Sequence, residues 1–210
     1  MTKTLLVAAT PLEASWLQAQ IQQTQRTDLQ VLITGIGMVN AAWKLGQALV
    51  QQTPARVIQF GVAGAYSPAL DLLEVVEVSE ETFGDLGAET DHGFFDLEAI
   101  GFPSIESPLC YNTFIQPAPM HLRKLVTGLT CNTIHGEQQR IEIQKQRWNK
   151  EIETMEGAVV FQLCLAHQIP FAEFRCISNF VEPRNPSRWK LKEAAQRMQE
   201  FLWDNREELW

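Results

Sequence analysis

Residues 3–60 read KTLLVAATPLEASWLQAQIQQTQRTDLQVLITGIGMVNAAWKLGQALVQQTPARVIQF, and this stretch decides the fold class. Short aliphatic runs at Lys3–Ala9, Val31–Thr34 and Val57–Phe60 predict strands. Helical patterns separate these strands at Pro11–Gln23, where proline occupies the first turn, and at Val39–Gln51. Because a right-handed crossover lays each helix back on the sheet, this order predicts largely parallel strands covered on both faces. The predicted fold class is therefore α/β.

The rest of the chain makes the predicted sheet mixed. Strand patterns at Leu72–Phe83 and Leu125–Ile134 interrupt the alternation of strands and helices. Between them, Gly84–Pro119 is rich in Gly, Pro, Asp and aromatic residues, which favours an irregular excursion or a pair of weakly patterned strands. We find no linker, so residues 1–210 are expected to form a single domain. The remaining predicted elements are an apolar helix at Met155–His167, a strand at Phe171–Ile177 and an amphipathic helix at Ser187–Asn205 with Ser187 as its N-cap.

Composition and charge exclude several classes of partner. The 17 basic and 25 acidic residues give a net charge of −8, which disfavours binding to nucleic acids and to anionic membranes. The apolar run Leu5–Ala9 is too short for a signal peptide, and no stretch approaches the roughly 20 apolar residues of a spanning helix. We therefore expect a cytoplasmic protein. Its cysteines form no C-x-x-C pair and are expected to be reduced, buried apolar residues: Cys110, Cys131, Cys164 and Cys176.

Two glycine-rich segments follow predicted strands. Thr34–Asn40 (TGIGMVN) joins a strand to a helix, and Gly61–Ala65 (GVAGA) is predicted to form a second turn that closes the next strand. The carboxyl ends of strands are where α/β proteins bind ligands, so both turns together favour a small-molecule pocket. Asn40 stands where a dinucleotide fingerprint needs its third glycine, and no acidic residue follows at the required distance. Dinucleotide binding is thereby disfavoured.

Three polar residues are predicted to meet at the same sheet edge. Glu13 follows the first strand, Glu156 precedes the apolar helix, and Asn179 ends the strand that begins at Phe171. Each alone is also explained structurally, the glutamates by the helix dipole and Asn179 as a turn former. Their convergence from distant parts of the chain favours an assembled site. The histidines lack the spacings of a metal site, so no metal is expected.

Taken together, these segments resemble the purine nucleoside phosphorylase and nucleosidase superfamily, and within it the futalosine-hydrolysing branch. This resemblance implies a three-layer α/β/α sandwich with a central mixed sheet, a homodimer or higher homo-oligomer, and no metal or cofactor. It also implies cleavage of the nucleoside futalosine to hypoxanthine and dehypoxanthine futalosine, a step in the futalosine route to menaquinone. The segments that carry the resemblance are Leu5–Glu13, Thr34–Asn40, Gly61–Ala65, Glu80–Glu89, Met155–Ala158 and Ile177–Trp189.

The resemblance also implies roles for individual residues. Glu13 matches the carboxylate that activates the attacking water, and Glu156 matches the carboxylate that binds the ribose hydroxyls, with Met155 against the sugar. The Gly61–Gly64 segment, including Val62, Ala63 and Gly64, is expected beside the ribose and base. Gly136–Gln139, with Gln139 as its candidate contact, is expected to help line the purine pocket.

Departures from the superfamily pattern narrow the expected chemistry. Where phosphorylases hold phosphate, this chain has Phe60 and Val62, and Glu13 itself would repel an anion, so water is the expected nucleophile. Asn179 replaces the aspartate of adenine-releasing nucleosidases; an amide can pair with a 6-oxo group and a protonated N7, which favours hypoxanthine.

Other features leave alternatives open. The benzoate of futalosine needs a cation, for which Arg184, Arg188 and Lys190 are candidates, although they also fit a surface loop. The remaining alternatives for the whole protein are a methylthioadenosine/S-adenosylhomocysteine nucleosidase and a purine-binding module without turnover.

Overall fold

The computed structural model describes residues 3–102 and 124–209 with their side chains and residues 109–111 by their backbone. Some sequence predictions on Gly84–Pro119, and the burial of Cys110, fall outside the described residues. The strands are β1 Thr4–Ala8, β2 Leu29–Ile33, β3 Arg56–Ala65, β4 Val75–Phe83, β5 Gly87–Thr90, β6 Gly93–Asp96, β7 Leu109–Tyr111, β8 Leu125–Thr130, β9 Ile152–Thr154 and β10 Phe171–Phe180. The helices are α1 Pro11–Gln23, α2 Met38–Gln51, α3 Gln138–Trp148, α4 Gly157–Ala166, α5 Leu191–Asp204 and α6 Arg206–Leu209, with a 3-10 turn at Pro186–Arg188.

The α/β fold with a central mixed sheet is confirmed. In the described residues the main sheet has the order β10-β4-β8-β9-β3-β1-β2, with β7 beside β4, and β10 also pairs with β3. Strands β1, β2, β3 and β10 run parallel, whereas β4 runs antiparallel to β10 and β9 antiparallel to β3. Because β3 pairs with β10 along one edge and with β9 near its end, the sheet curls around this corner.

Helices cover both faces of the sheet. Alternate residues of β1 enter opposite layers: Leu5 and Val7 pack with α2 and α4, whereas Leu6 and Ala8 pack with α1 and α5. None of the helices in the described part of the chain has both the length and the apolar character needed to cross a bilayer.

One sequence prediction about the sheet is wrong in a way that matters for function. Gly61–Ala65 is not a turn but the second half of β3. The strand continues because β10 supplies partners from Val57 to Ala65 and β9 supplies partners for Gly64 and Ala65. The glycines serve packing instead of turning, since side chains from neighbouring elements lie against the space that a Cβ would occupy.

Other differences concern weakly patterned segments. Within Gly84–Pro119, β5 and β6 form an antiparallel hairpin, which agrees with the strand-pair alternative for that part. Helix α3 was not predicted from the sequence. Its only buried residue is Ile141, and the helix therefore lacks the apolar stripe on which such a prediction depends. Helix α5 begins at Leu191, and Ser187 is not its N-cap, because the Ser187 hydroxyl donates to the Asn185 side chain within the preceding 3-10 turn.

Candidate active site

A cavity of about 310 Å³ lies where β1, β3 and β10 approach their carboxyl ends. Its volume and its mainly aliphatic wall suit a small organic ligand. The cavity is lined by Ala9, Thr10, Leu12, Glu13, Ile36, Val62, Ala63, Gly64, Ile134, Glu153, Thr154, Met155, Glu156, Ser178, Asn179, Trp189 and Leu191.

Glu13 is held rigidly at one side of this cavity. Its Oε2 accepts hydrogen bonds from the backbone N–H of Thr10 at 3.0 Å and from the Thr10 hydroxyl at 2.7 Å, which caps the start of α1. Its Oε1 accepts the backbone N–H of Val62 at 3.0 Å. The structural and functional interpretations of Glu13 therefore coexist, because the same carboxylate caps the helix and faces the cavity.

Glu156 reaches the cavity from the N-terminus of α4. Its Oε1 accepts the backbone N–H of Gly37 at 2.8 Å. Gly35 and Gly37 both have φ of +90°, a conformation that favours glycine, and it directs this N–H toward Glu156. The first glycine turn thus positions a side chain, while its Ile36 lines the cavity.

The buried side chain of Arg175 interacts electrostatically with the carboxylates of Glu13 and Glu156. Arg175 is 2% exposed, and its Nε donates to Oε1 of the fully buried Glu173 at 2.6 Å. The positive field of Arg175 lowers the pKa of Glu156, but burial has the larger effect and raises that pKa above its ordinary value. Burial by itself would lower the pKa of Arg175, but the negative charge of Glu173, followed by those of Glu156 and Glu13, raises it above its ordinary value. The guanidinium therefore stays charged and favours ionised carboxylates at the site.

Asn179 is placed by an irregularity in β10. The register with β3 shifts between Ile177 and Asn179, which pair with Ala63 and Gly64, so Ser178 is the extra residue of a bulge. The Ser178 hydroxyl donates to Oδ1 of Asn179 at 2.8 Å, and Nδ2 of Asn179 donates to the Phe180 carbonyl at 3.1 Å. These contacts fix the amide at the cavity wall.

Most residues proposed from the sequence share this cavity, whereas Gln139 and the basic candidates Arg184, Arg188 and Lys190 do not line it. Val62, Ala63, Gly64 and Met155 line it together with Glu13, Glu156 and Asn179. Gln139 lies instead on the exposed first turn of α3, where its backbone N–H donates to the side chain of the N-cap residue Glu137, and it lines another cavity of about 290 Å³. Arg184 is exposed, and its guanidinium carbon lies 4.7 Å from the ring centre of Trp189, so the tryptophan separates it from the cavity.

Sequence reasoning missed a buried cluster beside Asn179. Glu153 is 4% exposed and accepts the Tyr66 hydroxyl at 2.7 Å, and its carboxylate also contacts Nδ1 of His135. Donor atoms of Cys131, His135 and Glu153 lie within 4.8 Å of one another, a grouping that the sequence spacing did not suggest. Burial raises the pKa of the Cys131 thiol, and His135 and Glu153 already bond each other, so a hydrogen-bonded network fits this cluster better than a metal. The feature of the sequence that could have pointed to Glu153 is its position three residues before Glu156, as a second glutamate in the same segment.

A sequence model of the phosphorylase superfamily matches residues 20–204. The chain belongs to this superfamily. It is 31% identical over 207 residues to a futalosine hydrolase from Thermus thermophilus, covering 90% of this chain and 89% of that protein. It is 27% identical over 191 residues to a 5'-methylthioadenosine/S-adenosylhomocysteine nucleosidase from Glaesserella parasuis, covering 84% and 74%. The crystal structure of the Streptococcus pneumoniae MTA/SAH nucleosidase has the same fold, with a TM-score of 0.84 at 19% identity and coverage of 99% and 100%.

The arrangement suits cleavage of a bond whose transition state carries positive charge. Two fixed carboxylates face one apolar space, where they stabilise a developing cation more strongly than they would in water. Among the described residues, the wall of this superfamily member contains no lysine or arginine that could hold a phosphate. This charge pattern favours attack by water.

Proposed function

We propose that this chain is a futalosine hydrolase, a nucleosidase that uses water to cleave the N-glycosidic bond of futalosine into hypoxanthine and dehypoxanthine futalosine. The 31% identity to the Thermus thermophilus futalosine hydrolase over nearly the whole chain supports the choice of substrate. The observation that carries the chemistry is the placement of Glu13, Glu156 and Asn179 around one cavity whose described wall holds no cation.

Glu13 is the proposed general base. Each carboxylate oxygen offers two acceptor positions. Oε2 uses both on Thr10, whereas Oε1 uses one on the N–H of Val62 and keeps the other. A water bound at that free position would lose its proton to Glu13 as its oxygen attacks the anomeric carbon.

Glu156 and Met155 are the proposed ribose contacts. The carboxylate of Glu156 accepts hydrogen bonds from the sugar hydroxyls, and Met155 packs its thioether on the sugar ring. As the glycosidic bond breaks, positive charge develops on the ribosyl group. Glu156 stabilises this charge, and the bond from Gly37 holds its carboxylate in place before the reaction begins.

Asn179 is the proposed contact for the leaving purine. Its amide can donate to the 6-oxo group of hypoxanthine and accept from a protonated N7. An amide cannot supply a proton to the departing base. The purine therefore either leaves as an anion, stabilised by the N–H donated to its 6-oxo group and protonated afterwards by solvent, or takes a proton from water at N7, whose hydrogen Oδ1 of Asn179 then accepts.

Arg184 is the proposed cation for the benzoate of the substrate. The structure narrows the choice among the basic residues of this loop, since Arg188 pairs with Glu182 at 2.9 Å. Arg184 stacks on Trp189, which lines the cavity, so a substrate that extends past this ring would meet the guanidinium.

The proposed setting is the cytoplasm, where the enzyme would act as a homodimer or higher homo-oligomer in the futalosine route to menaquinone. Exposed apolar side chains on α2 support association: Val39 is 78%, Trp43 64% and Val50 81% exposed. At 100° per residue these three lie within about 40° of one another on the helix, which makes a continuous apolar stripe.

Incubation with futalosine in phosphate-free buffer tests the proposal. Chromatography should show hypoxanthine and dehypoxanthine futalosine in equal amounts. Release that requires phosphate would contradict hydrolysis. Faster release of adenine from methylthioadenosine would favour the other nucleosidase, which the 27% identity to the Glaesserella parasuis protein keeps as the second candidate. Tight binding of purine without turnover would indicate a binding module.

A further inference from the structure

Glu153 and Asn179 stand on either side of Gly64 in three neighbouring strands. Gly64 of β3 pairs with Glu153 of β9 on one side and with Asn179 of β10 on the other. Paired residues project to the same face of a sheet, and two strand spacings separate the outer two by roughly 10 Å. All three line the cavity. Because Gly64 carries no side chain, Val181 and the amide of Asn179 lie close against its Cα. The row therefore presents a carboxylate at one wall of the cavity and an amide at the other.

This row lies at the end of the cavity away from the proposed point of attack. Glu13 accepts the N–H of Val62, two residues before Gly64, which is about 7 Å along an extended strand. On the opposite wall, Glu156 follows Glu153 by three residues. Glu153 and Asn179 therefore lie toward one end of the cavity, the base end, and Glu13 and Glu156 lie toward the other, the sugar end. With the anomeric carbon near Glu13, the purine ring falls between Glu153 and Asn179.

The carboxylate of Glu153 has one acceptor position left for a ligand. Oε1 accepts the Tyr66 hydroxyl and contacts Nδ1 of His135, which occupies both of its positions. Oε2 accepts only the backbone N–H of His135, at 3.2 Å, among the described residues. The side chain is 2% exposed, so an unfilled acceptor here is unfavourable until a donor arrives.

We propose that Glu153, positioned by Tyr66 and His135, determines the base specificity of the site by accepting the N1–H of a 6-oxopurine. This inference rests on the proposed function. Hypoxanthine carries a hydrogen on N1, whereas adenine presents a lone pair there. A carboxylate binds the first and repels the second. Glu153 and Asn179 would then read adjacent edges of the same purine, N1 on one side and the 6-oxo group with N7 on the other.

Calorimetric titration with free bases tests this role without depending on turnover. Wild-type protein should bind hypoxanthine at least 10-fold more tightly than adenine and than 1-methylhypoxanthine, which lacks the N1–H. Glu153→Gln keeps the side-chain volume but offers an amide that can donate to N1 of adenine. It should reduce the hypoxanthine-to-adenine ratio by about 10-fold or more. Glu151→Gln is the matched control, because the Glu151 carboxylate binds Thr127 outside the cavity, and it should leave the ratio unchanged.

The outcomes separate this inference from the proposed function. Hypoxanthine release from futalosine together with an unchanged ratio in Glu153→Gln would refute the role of Glu153 and leave the function standing. If the Glu153→Gln variant does not fold, the wild-type protein alone still tests the role of Glu153. Equal affinities for hypoxanthine and 1-methylhypoxanthine would refute that role. A wild-type protein that binds neither hypoxanthine nor adenine would refute the role of Glu153, and failure to release hypoxanthine from futalosine would refute the proposed function.

Discussion

Gly61→Ala should disable the site by displacing one carboxylate. A Cβ built on Gly61 would lie 2.5 Å from Oε1 of Glu13 and 2.8 Å from Nη1 of Arg175. Ordinary contact between a Cβ and a neighbouring heavy atom begins at 3.4 Å, so Oε1 of Glu13 must retreat by about 1 Å. That movement breaks its bond to the N–H of Val62 and takes the proposed base away from the water.

A displacement of this size in a catalytic group costs on the order of 100-fold in rate, which corresponds to about 2.7 kcal/mol of activation free energy. Overpacking should also reduce the free energy of unfolding by about 1–3 kcal/mol. Purine release should therefore be measured well below the unfolding transition, with circular dichroism to verify the folded fraction.

A double-mutant cycle shows whether the loss acts through Glu13. In a Glu13→Gln background the carboxylate is already gone, so adding Gly61→Ala should lower kcat by far less than it does in the wild type. A folded Gly61→Ala protein with kcat within threefold of wild type would refute the positioning argument. The positioning argument would also be refuted if the two losses in kcat multiplied fully in the double mutant.

Three further predictions use the charged and amide groups. Arg175→Met leaves buried Glu173 without its partner and should lower the free energy of unfolding in urea by about 3–5 kcal/mol. Arg26→Ala, at a partly exposed ion pair with Asp28, should cost under about 1 kcal/mol. Equal losses in the two variants would contradict this prediction. Because burial raises the pKa of Glu156, kcat/KM should fall on acidification at a higher pH than an exposed glutamate would give, and a profile flat through that range would argue against an ionised Glu156. The same raised pKa means that Glu156 contributes stability at acidic pH, which is lost as the pH rises through its folded-state pKa. Asn179→Asp introduces an acid at the base end and should shift the kcat/KM ratio from inosine-like toward adenosine-like substrates; an unchanged ratio would remove Asn179 from base selection.

The elements predicted well are those whose residues carry their own periodic signal. Helix α1 spans Pro11–Gln23 as expected, since a proline at its first position and apolar residues at helical spacing mark it locally. Helix α3 has no such stripe and was missed. The prediction of a turn at Gly61–Ala65 was wrong because glycine is favoured both in turns and in strands that neighbouring side chains approach closely.

The residues of the candidate site also differ in whether the local sequence marks them. Glu13 and Asn179 could be selected from the sequence because each stands beside a strand end that the chain marks locally, and Glu156 because it precedes a predicted apolar helix. Glu153 and Arg175 could not, because a charged residue inside a short or apolar strand gives no sign of which groups face it across the sheet.

The sequence by itself determined the α/β class, the strands β1, β3 and β10 that meet at the pocket, and Glu13, Glu156 and Asn179. Alternation, caps and residue chemistry are properties of neighbours along the chain, whereas the short strand β9 was not predicted. Only the tertiary structure decided that β3 runs on through its glycines, that Glu153 faces Asn179 across Gly64 and that Arg175 lies near the carboxylates of Glu13 and Glu156. These are contacts between residues far apart in the chain. Strand register and burial set them, and both arise only when the whole sheet is assembled.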